Sequence, residues 1–160
     1  MLEKLLLLLI SIIFTSSFAR TQALVPVTGP SLENTVDWVS INVVNVTTEQ
    51  NGQYRQSFTY DLERRCHCRF KVKNLDADNN LITKTYSFHL GDIDPDKITI
   101  AENVDFSEIK LITYKKKDKI QLSLNNEESL DHTFVIYEQS PENARRLSKA
   151  LKHIASLCKQ

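Results

Sequence analysis

Every second residue from Arg65 to Lys73 is basic: Arg65, His67, Arg69, Lys71 and Lys73 alternate with Cys66, Cys68, Phe70 and Val72. Successive side chains of a β-strand point to opposite faces, so this spacing predicts a row of basic groups along one face and the cysteines on the other. A row of that kind can hold an anionic ligand or an acidic protein surface. The plainer reading is a solvated strand face balanced by nearby carboxylates such as Asp61 and Glu63.

Other chemistry is less well supported. Cys66, His67 and Cys68 do not make a metal site, because His67 points away from both thiols in a strand and no second Cys or His pair completes a tetrahedron. Asp76, Asp78 and Asn80 imitate the start of a calcium loop, but Leu81 stands where Gly is needed and Ser87 where Glu is needed, so a hairpin turn explains them better. The four histidines, at positions 67, 89, 132 and 153, fall on separate elements. No Gly-x-Ser-x-Gly, His-Glu-x-x-His or phosphate-cradling glycine loop occurs. The expectation is a non-catalytic protein with no metal and no cofactor.

Charge is balanced, with 20 basic and 20 acidic residues, so net charge draws in no polyanion and no nucleic-acid partner is expected. The charge is nevertheless segregated. Arg145, Arg146, Lys149, Lys152 and Lys159 lie off the apolar stripe of the last helix, and Lys115, Lys116 and Lys117 mark a hairpin tip. Asp92, Asp94, Asp96, Glu102, Asp105 and Glu108 cluster with only Lys97 opposed. A protein or anionic partner would therefore be held in a salt-sensitive way.

The elements that position these groups begin with an export signal: Lys4 in a polar start, an apolar core from Leu5 to Phe14, and small residues before cleavage after Ala19, with Ala23 as a second cleavage point. The apolar run is about half the ~20 residues that a spanning helix needs, so no stable membrane anchor is expected after cleavage. Residues 1–19 are thus read as signal, 20–52 as a lead-in with one helix, and 53–160 as a β domain with a C-terminal helix. Ser31 caps a helix predicted over Leu32 to Asn45, in which Leu32, Val36, Val39 and Val43 recur at helical spacing. Asn45-Val46-Thr47 forms a glycosylation sequon.

From Tyr54 onward the apolar period is two. Strands are predicted around Tyr54–Leu62, Cys66–Val72, Ile82–Leu90, Ile98–Ile100, Ile109–Thr113, Ile120–Leu124 and His132–Ile136, with turns at Asp76 to Asn80, Lys115 to Asp118 and Asn125 to Ser129. Short connections require antiparallel pairing. Ser140, Pro141 and Glu142 then open a helix whose stripe is Ala144, Leu147, Leu151, Ile154 and Cys158. The expected fold class is α+β: a bent, partly open antiparallel sheet of seven strands capped by the C-terminal helix, with one N-terminal helix.

That order of elements, from Tyr54 to Cys158, resembles a pleckstrin-homology-like domain. The resemblance implies that basic residues of the first two strands, Arg65, Arg69 and Lys71, form an anion site. A helix-grip fold is the rival; it implies a carrier holding an apolar small molecule beneath Leu147, Leu151 and Ile154. Cys158 closes the helix stripe and Cys66 and Cys68 face the same core, so a disulfide from Cys158 to Cys66 or to Cys68 stands as an alternative to three reduced thiols. Oligomeric state leaves no mark on the sequence. The function expected is a secreted or periplasmic binding module for a protein or an anionic ligand.

Overall fold

A computed structural model describes residues 29–48, 52–61, 63–75, 78–125 and 127–159. The signal, its cleavage points at Ala19 and Ala23, the lead-in from Arg20, Leu62 and Asp76 lie outside the described residues. The Ser31 hydroxyl accepts from the Asn34 N–H at 3.2 Å and starts helix α1, Leu32–Asn42, which buries Leu32, Thr35, Val36 and Val39. The helix stops short of Asn45 because Val43 is already extended. The stiff β-branched run that follows becomes strand β1, Val46–Thr48, rather than a further helical turn.

Eight more strands follow: β2 Gly52–Tyr60, β3 His67–Leu75, β4 Leu81–His89, β5 Thr99–Glu102, β6 Ser107–Ile112, β7 Ile120–Leu124, β8 Glu127–Asp131 and β9 Thr133–Glu138. They form two antiparallel sheets, β1-β2-β3-β4-β7-β8 and β5-β6-β9, which do not close into a barrel. Helix α2, Pro141–Cys158, ends the chain and buries Ala144, Leu147, Leu151, Ile154 and Cys158 together with Ser148 and Ala155. The Ser140 hydroxyl accepts from the Asn143 N–H. The fold class is thus α+β with a C-terminal capping helix.

Three further details depart from the sequence reading. Among the described residues the sheets hold nine strands rather than seven, because β1 and β8 add to the expected set. The predicted turn over Asn125 to Ser129 is tighter: Asn125 is left-handed (φ 50°), and Glu127–Asp131 pairs along β7. Cys66 is not a strand residue. It sits at φ 66°, so β3 begins one residue later and Arg65 belongs to the preceding turn. This left-handed residue is held by the Cys66 N–H donating to the Tyr60 hydroxyl at 2.8 Å and by its carbonyl accepting from the Leu90 N–H at 2.8 Å.

One hydrophobic cluster runs through both helices and both sheets. Phe58, Phe70 and Tyr86 lie in register across β2, β3 and β4. Phe134 of β9 packs on them from the second sheet, with ring centroids 5.5 Å from Phe70, 5.4 Å from Tyr86 and 4.7 Å from Phe88. Burial of each such side chain contributes about 1.5–3 kcal/mol. Where the two sheets part, the side chain of Gln56 takes over from backbone pairing. Its amide nitrogen donates to the carbonyls of Val44 (3.0 Å) and Tyr137 (2.9 Å), and its oxygen accepts from the Tyr137 N–H at 2.9 Å.

Candidate functional site

The alternation of β3 is realised from His67 to Lys73. Cys68, Phe70 and Val72 are buried; Arg69 and Lys71 are exposed, and His67 and Lys73 are half-buried on the opposite face. Four of the five basic residues singled out in the sequence therefore share one face of the six-stranded sheet. The fifth, Arg65, is exposed but lies in the turn, outside the row.

The neighbouring strands decide what this face can do. Opposite Arg69 stand Thr59 of β2 and Ser87 of β4; opposite Lys71 stand Ser57 and Thr85; opposite Lys73 stand Arg55 and Thr83. Directly opposed cross-strand residues lie side by side on one face. The cationic column is therefore flanked by hydroxyls and one more cation, with no carboxylate in register beside Arg69, Lys71 or Lys73. Asp61, the carboxylate expected to balance the row, is engaged elsewhere: Arg64 Nε donates to it at 2.7 Å. That hydrogen bond, outweighing partial burial and aided by the N–H groups of Arg64 and Glu63, holds the Asp61 carboxyl below its usual range. Arg69, Lys71 and Lys73 form no ion pair among the described residues.

At the His67 end the face deepens into a basin of about 570 Å³. His67 and His89 face each other across β3 and β4 with their rings edge to face, centroids 5.0 Å apart. Arg69, Lys119, Ser87 and Gln121 add cationic and hydrogen-bonding groups, while Asp61 and Asp92 contribute negative charge to the same wall. His89 is oriented by a backbone contact: its Nδ1 accepts from the Gly91 N–H at 3.1 Å, which leaves the proton on Nε2. Gly91 is packed so closely under the end of α2 that a Cβ there would collide with the Cys158 carbonyl. The histidine, the glycine and the helix terminus are therefore one assembly.

The same corner holds the disulfide, which joins Cys66 to Cys158 with Cα atoms 5.7 Å apart. The bridge is compatible with an extracellular location. Cys68 is free and buried. Burial, and secondarily the charge of Asp61, pushes its thiol far up, so it is not a thiolate near neutral pH. No cluster of three or more His, Cys, Asp or Glu side chains that could hold a metal occurs among the described residues.

Sequence reasoning found the row but not the basin. His89, Lys119 and Gln121 arrive through the pairing of β4 with β3 and β7, and nothing local to those residues signals it. The helix face Arg145 to Lys159 is divided: Arg145 is paired with Glu102 at 2.7 Å, and Lys159 lies 4.6 Å over the Tyr114 ring. No family model, curated protein or solved structure matches the chain.

Proposed function

We propose that this chain is an exported, non-catalytic binding module that captures an extended anionic ligand on the outer face of its larger sheet. The observation that carries this reading is the composition of the face: Arg69, Lys71 and Lys73 in one column, with hydroxyls or a further cation opposite them rather than carboxylates, and His67 at its end between His89 and Asp61. Residues two apart along a strand repeat at roughly 6.7 Å, so Arg69, Lys71 and Lys73 present positive groups at regular intervals over about 13 Å. Such a row suits a ligand whose negative groups also repeat, such as a chain of sulfated or uronic sugars. Hydroxyls on both flanks supply hydrogen bonds to the same oxygens. Export is supported by the apolar N-terminal run and by the disulfide. The pleckstrin-like reading of the element order is part of the same proposal.

The carrier reading has less support. Leu147, Leu151 and Ile154 are at most 1% exposed and are packed into the common core. None of them lines the basin.

The test is retention on a dextran sulfate matrix near neutral pH, where the chain as a whole carries no net charge. The protein is expected to elute only as salt is raised. Arg69→Glu/Lys71→Glu is expected to pass straight through, whereas Lys115→Glu/Lys117→Glu, which removes equal charge elsewhere, elutes almost as the parent does. Equal elution of parent and Arg69→Glu/Lys71→Glu overturns the proposal.

A further inference from the structure

The two helices lie against each other, and a second cavity of about 550 Å³ opens between them. That size is within the ~300–1,000 Å³ of small-molecule sites. Its character is unlike that of the sheet basin. Trp38 of α1, Ala150 of α2 and Pro30 ahead of α1 supply apolar surface, and Arg146 and Lys149 of α2 supply charge. Among the described residues no carboxylate lines it. Trp38 is half-buried, packed against the core yet also lining the groove. Arg146 and Lys149 are exposed and form no ion pair among the described residues, in contrast to the adjacent Arg145, which Glu102 neutralises. One end of the groove is braced: His153 Nε2 lies 3.0 Å from the Pro30 carbonyl, which ties the start of α1 to α2.

We infer that this groove binds a small amphiphilic organic anion, with a flat aromatic or branched apolar body against Trp38 and a single carboxylate or sulfonate against Arg146 and Lys149. The apolar wall alone would accept any oily molecule. Two cations without a carboxylate among the lining residues add preference for a negative head group, and the flat indole favours stacking of a planar body. This site is separate from the sheet face and does not depend on the reading given to that face.

The chain carries its own reporter, because Trp38 is its only tryptophan. The probe is 8-anilinonaphthalene-1-sulfonate, with the uncharged N-phenyl-1-naphthylamine as its neutral counterpart. The sulfonate is expected to bind the folded protein with energy transfer from the excited Trp38, and the neutral dye to bind much more weakly. Arg146→Glu/Lys149→Glu, both exposed positions, is expected to weaken the sulfonate roughly tenfold without changing the melting temperature. Lys115→Glu/Lys117→Glu, which removes equal charge elsewhere, is expected to leave dye binding unchanged. Equal affinity for the two dyes, binding without transfer from Trp38, or an unchanged affinity in Arg146→Glu/Lys149→Glu overturns the inference. So does a groove that takes up dye only after residues 20–28 are deleted, which would assign it to the chain's own lead-in.

Discussion

The two faces of β3 are made from one stretch of nine residues and follow opposite rules. Inward, Cys68, Phe70 and Val72 are at most 4% exposed and meet the aromatic cluster and the neighbourhood of the disulfide. Outward, Arg69, Lys71 and Lys73 meet hydroxyls and another cation, and His67 lies between His89 and Asp61. The inner face is satisfied by its neighbours and the outer one is not. A core position is explained once its contacts are named, whereas Arg69, Lys71 and Lys73 have no carboxylate in register beside them, and the proposed anion binding rests on that.

Substitutions on the inner side are expected to cost the most. Cys158→Ser, which opens a covalent loop spanning 92 positions, is expected to cost about 4–5 kcal/mol in the chain-entropy account, read as a large fall in the denaturant midpoint. Intact-mass analysis after alkylation of the denatured, unreduced protein should find one reactive thiol, Cys68; three would contradict the bridge. Phe70→Ala is expected to cost about 3–5 kcal/mol, since it empties a position touched by Tyr86 and Phe134. Arg69→Glu/Lys71→Glu, on the outer face, should shift stability by no more than about 0.5 kcal/mol while losing retention on dextran sulfate. If the two faces responded alike in melting experiments, the separation of roles would be wrong.

The smallest effect sharpens the rule through an exception. Glu138 alternates with Phe134 and Ile136 on β9 and is 2% exposed, so it is a carboxylate on an inward face. One oxygen accepts from the Ser140 N–H; among the described residues the other has no hydrogen-bond partner, nor does the hydroxyl of Ser107 directly opposite. Burial, outweighing the backbone hydrogen bonds, raises its pKa. A raised carboxyl pKa stabilises the fold where the group is protonated, and that contribution is present below the ordinary glutamate range and lost as pH rises through the raised value. Glu138→Gln is therefore expected to raise the melting temperature at neutral pH by no more than about 3 °C, a gain that vanishes in acid. A gain that persisted unchanged below the ordinary glutamate range would point to a cause other than charge.

What the sequence made legible follows the strength of local periodicity. The stripe of α2 and the alternation of β3 were readable because each buries one side of a regular element. Strand β8 was not, since Glu127 to Leu130 are all exposed at a sheet edge and show no alternation. Cys66 looked like a strand residue because it keeps the period of two, and only its left-handed backbone removes it. Of the site, the cationic row was visible in the residues themselves. The basin needed His89 and Lys119, and the groove needed Trp38 beside Arg146; these meet only when distant segments pair or dock. Gln56 was equally hidden, because its hydrogen-bond partners on β9 lie 81 positions away.

The bridge from Cys66 to Cys158 also sets how the molecule responds to damage and to force. A protease that cuts once between those residues leaves two pieces still joined, and refolding of the nicked protein remains an intramolecular process. Pulled from its two ends, the chain cannot pay out the 92-position loop. At about 3.4 Å per residue, this withholds roughly 310 Å of extension until the disulfide is reduced.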